Sequence, residues 1–111
     1  MAAPDTFNLF IYGSLRDPRV FEEAAGIPCP DTIPAVLEGY APGPAVEGYP
    51  AVVPELGGRV AGEVILALPA TILARLDEYE GEGELYRRVS IRVTAGNREI
   101  DAYVYIRRPE E

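Results

Sequence analysis

The stretch "YRRVSIRVTAGNREIDAYVYIRR" (86–108) decides the fold class. Two runs rich in Val, Ile, Tyr and Thr flank the pair Gly96-Asn97. Branched and aromatic side chains fit a pleated, half-buried surface, and a two-residue loop carrying Gly joins antiparallel strands tightly. The stretch therefore predicts a β-hairpin. Tyr103 and Tyr105, two residues apart, share one face of its second strand.

The neighbouring segments extend this pattern. "RVAGEVILAL" (59–68) predicts a strand, Gly57-Gly58 before it a turn, and Pro69 after it the start of a helix, "PATILARLDEYEG", that ends at Gly81. Seven of the eleven prolines lie from Pro28 to Pro54. That density predicts extended edge strands and turns, with short strands at "AVLEGY" (35–40) and "AVVPE" (51–55). "FNLFIYGS" predicts a first strand from Phe7 to about Tyr12, ended by Gly13. "DPRVFEEAAG" (17–26) predicts a short helix with Asp17 as cap, Pro18 in the first turn, Gly26 as stop, and a buried stripe of Val20, Phe21 and Ala24. Several strands with two helices make an α+β domain, and strands this short and punctuated curl into a small barrel.

Composition narrows the function. The 111 residues, 48% hydrophobic, fit a single globular domain over 1–111 with one modest core. No apolar run reaches the roughly 18 residues of a membrane span, and "MAAPDTFNLF" carries no basic region leading into an apolar one, so neither a span nor a signal peptide is expected. Cys29 is the single cysteine, which excludes an internal disulfide and fits a cytoplasmic location. The net charge of −8 repels nucleic acid and anionic membranes. The chain has no histidine. Ser-His-Asp and Cys-His catalysis are thereby excluded, and no metal or cofactor is expected, since most zinc sites favour His and Cys. Chemistry is left to carboxylates, tyrosines, lone hydroxyls and backbone dipoles.

Carboxylates concentrate in "LDEYEGEGEL" (76–85), which holds Asp77, Glu78, Glu80, Glu82 and Glu84. On a wheel of ~100° per residue with Ile72 at zero, Leu76 falls at about 40°, Leu73 at about 100° and Tyr79 at about −20°. These four residues form an apolar stripe, and Glu80, at about 80°, lies within it. Asp77 sits at the margin and Glu78 faces away, while Glu82 and Glu84 follow Gly81. A carboxylate in a last helical turn opposes the macrodipole, and desolvation adds to the upward pressure on its pKa. The pattern leaves two readings open for Glu80: a functional acid, or a side chain that turns to water because the helix ends one turn early. The other four acids are read as a solvated face.

A second candidate is "YGSL", Tyr12, Gly13, Ser14 and Leu15. Glycine at a strand exit allows backbone N–H groups to converge on an anion. An ordinary strand-to-helix turn explains the same residues, and Ser14 lacks a base to make it a nucleophile.

The order "YGSL", "YPAVV" (49–53), "VAGEVI" (60–65), "LDEYEG" (76–81) and "YRRVSIRV" (86–93) resembles the γ-glutamylcyclotransferase-like family, which includes γ-glutamylamine cyclotransferases and plant avirulence-induced proteins. The likeness runs from Phe7 to about Ile106, while "YAPGPAVEGYP" (40–50) is hard to align. It implies a small mixed β-barrel of about five to seven strands flanked by two helices. It also implies an enzyme that cyclises a γ-glutamyl group to 5-oxoproline and releases the attached amine or amino acid. The family's acid/base glutamate falls on Glu80, its substrate loop on Tyr12, Gly13, Ser14 and Leu15, and its Y-x-R on Tyr86 and Arg88. The implied partner is a small γ-glutamyl substrate.

That reaction suits the composition. The substrate's own α-amine attacks its own γ-carbonyl, so the protein supplies no nucleophile. One carboxylate of raised pKa moves the protons, and loop amides hold the α-carboxylate or the oxyanion. Tyr86, Tyr103 and Tyr105 are candidate hydroxyl donors, with an aromatic core role equally open for each. Arg88 is read as a surface charge or as part of the Y-x-R. The main alternative is a non-catalytic member of the fold that binds a small amino-acid-like ligand. A hydrolase pairing Glu80 with Asp77 or Glu82 is disfavoured because neighbours on one helix end make a poor pair.

Overall fold

The computed structural model describes residues 5–43, 52–80 and 86–107, with Ser14, Glu80 and Arg107 described by their backbone. Strand β1 (Thr6–Ile11) leads through a 3₁₀ turn (Ser14–Arg16) into helix α1 (Pro18–Ala25). Strands β2 (Ile33–Pro42) and β3 (Val52–Pro69) follow, then a 3₁₀ turn (Ala70–Ile72), helix α2 (Leu73–Glu80), and strands β4 (Tyr86–Ala95) and β5 (Arg98–Arg107). No helix among the described residues is long and apolar enough to cross a membrane.

The strands close into a ring in the order β1-β3-β2-β4-β5. Neighbours are antiparallel except β1 and β5, which run parallel, so the sheet is mixed as expected. The ring closes through two thin ladders, Val36 opposite Thr94 and Leu9 opposite Tyr103. Asn8 reinforces the second one. Its Nδ2 donates to the Asp101 carbonyl at 2.9 Å, and its Oδ1 accepts at 2.9 Å from the amide of Ala67, a left-handed residue (φ 56°) in a β3 bulge. A side chain thus supplies bonds where the register slips between Phe7 and Leu9.

Alternation along the strands builds two apolar layers. Phe10, Leu37, Val60, Val64, Val93, Val104 and their neighbours fill the ring interior. Phe7, Leu9, Ile11, Ile65 and Tyr105 point outward and pack against Phe21, Ala24 and Ala25 of α1 and Leu76 of α2. α1 forms with the caps its sequence predicts, while its buried stripe is Phe21, Ala24 and Ala25, with Val20 half-buried at the edge. The Asp17 carboxylate accepts the Arg19 amide at 2.9 Å, Pro18 needs no donor in the first turn, and the Gly26 amide closes on the Glu22 carbonyl at 2.8 Å.

Three expectations are corrected. The segments read as two strands and a Gly57-Gly58 turn are one strand, β3. Its register jumps from Pro54 opposite Tyr40 to Arg59 opposite Glu38, leaving Gly39 across from a four-residue bulge whose tip, Leu56, is fully exposed. Left-handed Gly39 (φ 87°) and Gly57 (φ 81°) absorb the mismatch. Pro69 is the last residue of β3 rather than the first of a helix, which opens as a 3₁₀ turn. Tyr79, placed by periodicity on the apolar stripe, is 41% exposed. The proline-rich residues 44–51, the Gly81 stop, Glu82 and Glu84 lie outside the described residues.

Candidate active site

Because β1 and β5 run parallel, both end at the same rim of the ring. β4 begins there, opposite the end of β5, with Tyr86 facing Arg107 in the register. The C-terminal part of α2 packs over this rim, since Asp77 meets both β4 and β5.

Beyond β1, Tyr12 packs against the ring-interior layer with its ring centroid 6.3 Å from that of Phe10. Its hydroxyl donates to the Tyr105 carbonyl at 2.5 Å. The Gly13 carbonyl accepts the Arg16 amide at 3.0 Å and closes the 3₁₀ turn. A turn of this type leaves its first amides without helical partners. Leu15 anchors the turn in the helix-side layer, in the same cluster as Tyr86, Leu76 and Tyr105. Ser14 starts the 3₁₀ turn.

A charged pair ties down the far end of the loop. Arg16 Nε donates to Glu63 Oε2 at 2.8 Å, while Glu63 Oε1 accepts from the Thr32 hydroxyl. These bonds, from Thr32 first and Arg16 second, hold the Glu63 carboxyl below the usual carboxylate range. Nothing in the linear sequence marks Glu63. It sits inside the "VAGEVI" strand with no local pattern to mark it, and its partners come from 31 and 47 residues away.

On the helix side the correction concerns Asp77, read as solvated. Its side chain is 26% exposed and both oxygens are used. Oδ1 accepts from the buried Tyr105 hydroxyl at 2.7 Å and Oδ2 from Arg88 Nη1 at 2.5 Å. Arg88 is therefore not a plain surface charge. Its side chain is equally covered, and its guanidinium carbon lies 4.9 Å from the centre of the Tyr103 ring. Burial pulls the Arg88 pKa down, but the Asp77 carboxylate outweighs this and leaves it above its ordinary value. Tyr103 and Tyr105 do share a face, with separate tasks: Tyr105 is a buried donor, and Tyr103 a half-buried platform packed on Phe7 at 5.8 Å.

At the rim, Leu15, Tyr86 and Leu76 of α2 thus share one layer, Tyr12 reaches it through the Tyr105 carbonyl, and the helix continues to Glu80. The signal that would have found Asp77 was weak: a marginal wheel position and an arginine one strand away.

Comparison with known proteins agrees with the fold. The family model described as γ-glutamyl cyclotransferase, AIG2-like, matches residues 9–111. AIG2-like protein C of Arabidopsis thaliana is 29% identical over 102 residues, which cover 90% of this chain and 58% of that protein. The chain thus spans less than two thirds of that curated relative. A solution structure of an Arabidopsis thaliana protein is 31% identical with a TM-score of 0.78, over 96% of this chain and 65% of that one. YkqA from Bacillus subtilis is 26% identical with a TM-score of 0.76, over 96% of this chain and 42% of its own. A γ-glutamyl cyclotransferase structure, 20% identical, shares the fold with a TM-score of 0.78 over 96% of this chain and 69% of that one. With nearly the whole chain inside the family match, this protein belongs to the γ-glutamyl cyclotransferase, AIG2-like family.

Proposed function

We propose that the protein cyclises a γ-glutamyl group to 5-oxoproline and releases the attached amine or amino acid. The carrying observation is the rim itself: Leu15 of the "YGSL" loop and Leu76 of α2 share one packed layer with Tyr86 and Tyr105 of the sheet.

Glu80 is the acid/base group in this reading. On a wheel of ~100° per residue, position 80 falls between Leu76 and Leu73, the α2 residues that pack in the helix-side layer. Helical backbone reaches Glu80, which weighs against an early helix end. Glu80 takes a proton from the α-ammonium. The freed amine attacks the γ-carbonyl carbon, forming the ring C–N bond and a tetrahedral oxyanion. The oxyanion collapses, the bond to the leaving nitrogen breaks as Glu80 returns the proton there, and Glu80 then passes the second proton from the ring nitrogen to the released amine. Of the three ammonium protons, one stays on the lactam nitrogen and two end on the released amine. Amides of Gly13, Ser14 and Leu15 hold the α-carboxylate or the oxyanion, and Tyr12 and Tyr86 line the pocket. The substrate is a small γ-glutamyl compound, and the lone Cys29 fits a cytoplasmic setting.

The test offers γ-glutamyl amines, γ-glutamyl amino acids, γ-glutamyl-ε-lysine and glutathione to the protein and measures 5-oxoproline. Product is expected from at least one, with a loss of about 10² or more in Glu80→Gln at unchanged fold. A folded Glu80→Gln protein at full rate refutes the assignment. A ligand that raises Tm while no compound is cyclised points to a binding protein.

A further inference from the structure

Tyr105 carries two hydrogen bonds that lead to different halves of the rim. Its carbonyl accepts from the Tyr12 hydroxyl, and its phenol donates to Asp77. The division follows from strand geometry, in which the carbonyl lies in the sheet and the side chain stands perpendicular to it. Leu9 is opposite Tyr103, so Tyr105 lies level with Ile11, where β1 ends. A side-chain hydroxyl takes the carbonyl there, just as the main chain of β1 departs.

Asp77 sits above a cross-strand pair, because Arg88 and Tyr105 are register partners on β4 and β5. It engages both at once. Helix α2 has eight residues, short enough to fray at its end unless tertiary contacts hold it. Asp77 and Glu80 are three apart, neighbours on the helix surface. A charge-assisted contact at Asp77 therefore restrains the turn that carries Glu80.

We infer that Asp77 and Tyr105 are positioning residues, which lock the last turn of α2 to the β4–β5 face and, through the Tyr105 carbonyl, to the "YGSL" loop, so that both halves of the site are held as one body. What is being positioned rests on the cyclase reading above, whereas the coupling rests on the bonds alone.

Two measurements test it. In amide NMR spectra, Asp77→Asn should shift the resonances of Tyr12 to Leu15, although Asp77 is bonded to Tyr105 and Arg88 rather than to the loop. In a Tyr105→Phe background the same substitution should leave those resonances still. Changes confined to α2 and β4 overturn the inference, as do loop shifts that persist in Tyr105→Phe. If Asp77→Asn does not fold, Arg88→Lys, which alters the same carboxylate, is read in the same way. In the 5-oxoproline assay, Asp77→Asn and Tyr105→Phe should each lower kcat by about 10–100-fold with KM within about threefold, as misplacement of a catalytic group does. The double variant should fall no more than about threefold below the worse single, because both disturb the same Asp77–Tyr105 contact. A kcat within about twofold of the parent, or losses that multiply, overturns the inference. Glu80→Gln run alongside separates the failures. Loss in Glu80→Gln with full rate in Asp77→Asn overturns the positioning role alone. Full rate in Glu80→Gln overturns the functional reading, and the spectra then decide the coupling. They also decide it if the parent protein forms no product.

Discussion

Gly62 lies in β3 one residue before Glu63, which is opposite Ile11, so it sits on the neighbouring strand beside the point where β1 departs toward Tyr12. Gly62→Ala would place a Cβ 2.4 Å from the Ile11 carbonyl oxygen and 2.6 Å from Cζ of Phe10. Relaxed contacts to carbon lie at about 3.5 Å, so the neighbours must retreat by roughly 1 Å. Neither yields easily. One is backbone in a ladder, and the other belongs to a ring 1% exposed inside the sheet. Overpacking of this kind costs about 1–3 kcal/mol, and a backbone clash belongs at the upper end. Reduced entropy of the unfolded chain returns about 0.4–1 kcal/mol. The net loss is about 2–3 kcal/mol, a Tm drop of about 8–12 °C at roughly 4 °C per kcal/mol. Thermal unfolding followed by circular dichroism, with urea midpoints beside it, measures this. Gly39→Ala is the control: its φ of 87° strains the backbone, but nothing lies within 4 Å of the added carbon. It should cost about 1–2 kcal/mol. A Gly62→Ala melt within about 2 °C of the parent would show that the strand exit has slack, and would refute the view that Gly62 is required by close approach.

Two further outcomes follow from single contacts. Glu63 has its carboxyl held below the usual range by Thr32 and Arg16, so it stabilises the fold above its unfolded pKa. That contribution is lost as pH falls below about 4.3 and through the lower folded value. Urea midpoints measured against pH should fall less steeply on the acid side for Glu63→Gln than for the parent, and identical slopes would contradict the assignment. Asp17→Ala removes the acceptor of the Arg19 amide and should cost about 1 kcal/mol, seen as a Tm drop of about 4 °C. An unchanged melt would mean that packing of Phe21 alone holds the first turn.

Much of the architecture was legible because it is written in local chemistry. The hairpin at Gly96-Asn97, the Asp17 and Gly26 caps, and the first strand ending near Tyr12 each follow from a few adjacent residues. Turn formers and caps act over one to four positions, so linear order suffices to find them. The continuous β3 was less legible. Gly57-Gly58 is turn chemistry, and only the partner strand, with Gly39 opposite, makes it a bulge. Periodicity placed Tyr79 on a packed face, but the sheet and α1 cover an arc of α2 displaced toward Asp77 and leave Tyr79 largely exposed.

The sequence by itself determined the α+β class, the α1 caps and the β4–β5 hairpin, the exclusion of histidine chemistry, and Glu80 and the "YGSL" loop as candidates with a structural reading open for each. Composition and short-range patterns carry that information. Only the tertiary structure decided which acids are engaged. Asp77 became a half-buried anchor because the β4–β5 register sets Arg88 beside Tyr105, and the parallel pairing of β1 with β5 brings Tyr12 to the same residue. Glu63 acquired its role from Arg16 and Thr32 in the same way. The energy of a carboxylate depends on the groups within a few ångströms of it, and here those groups come from strands and turns far apart in the chain.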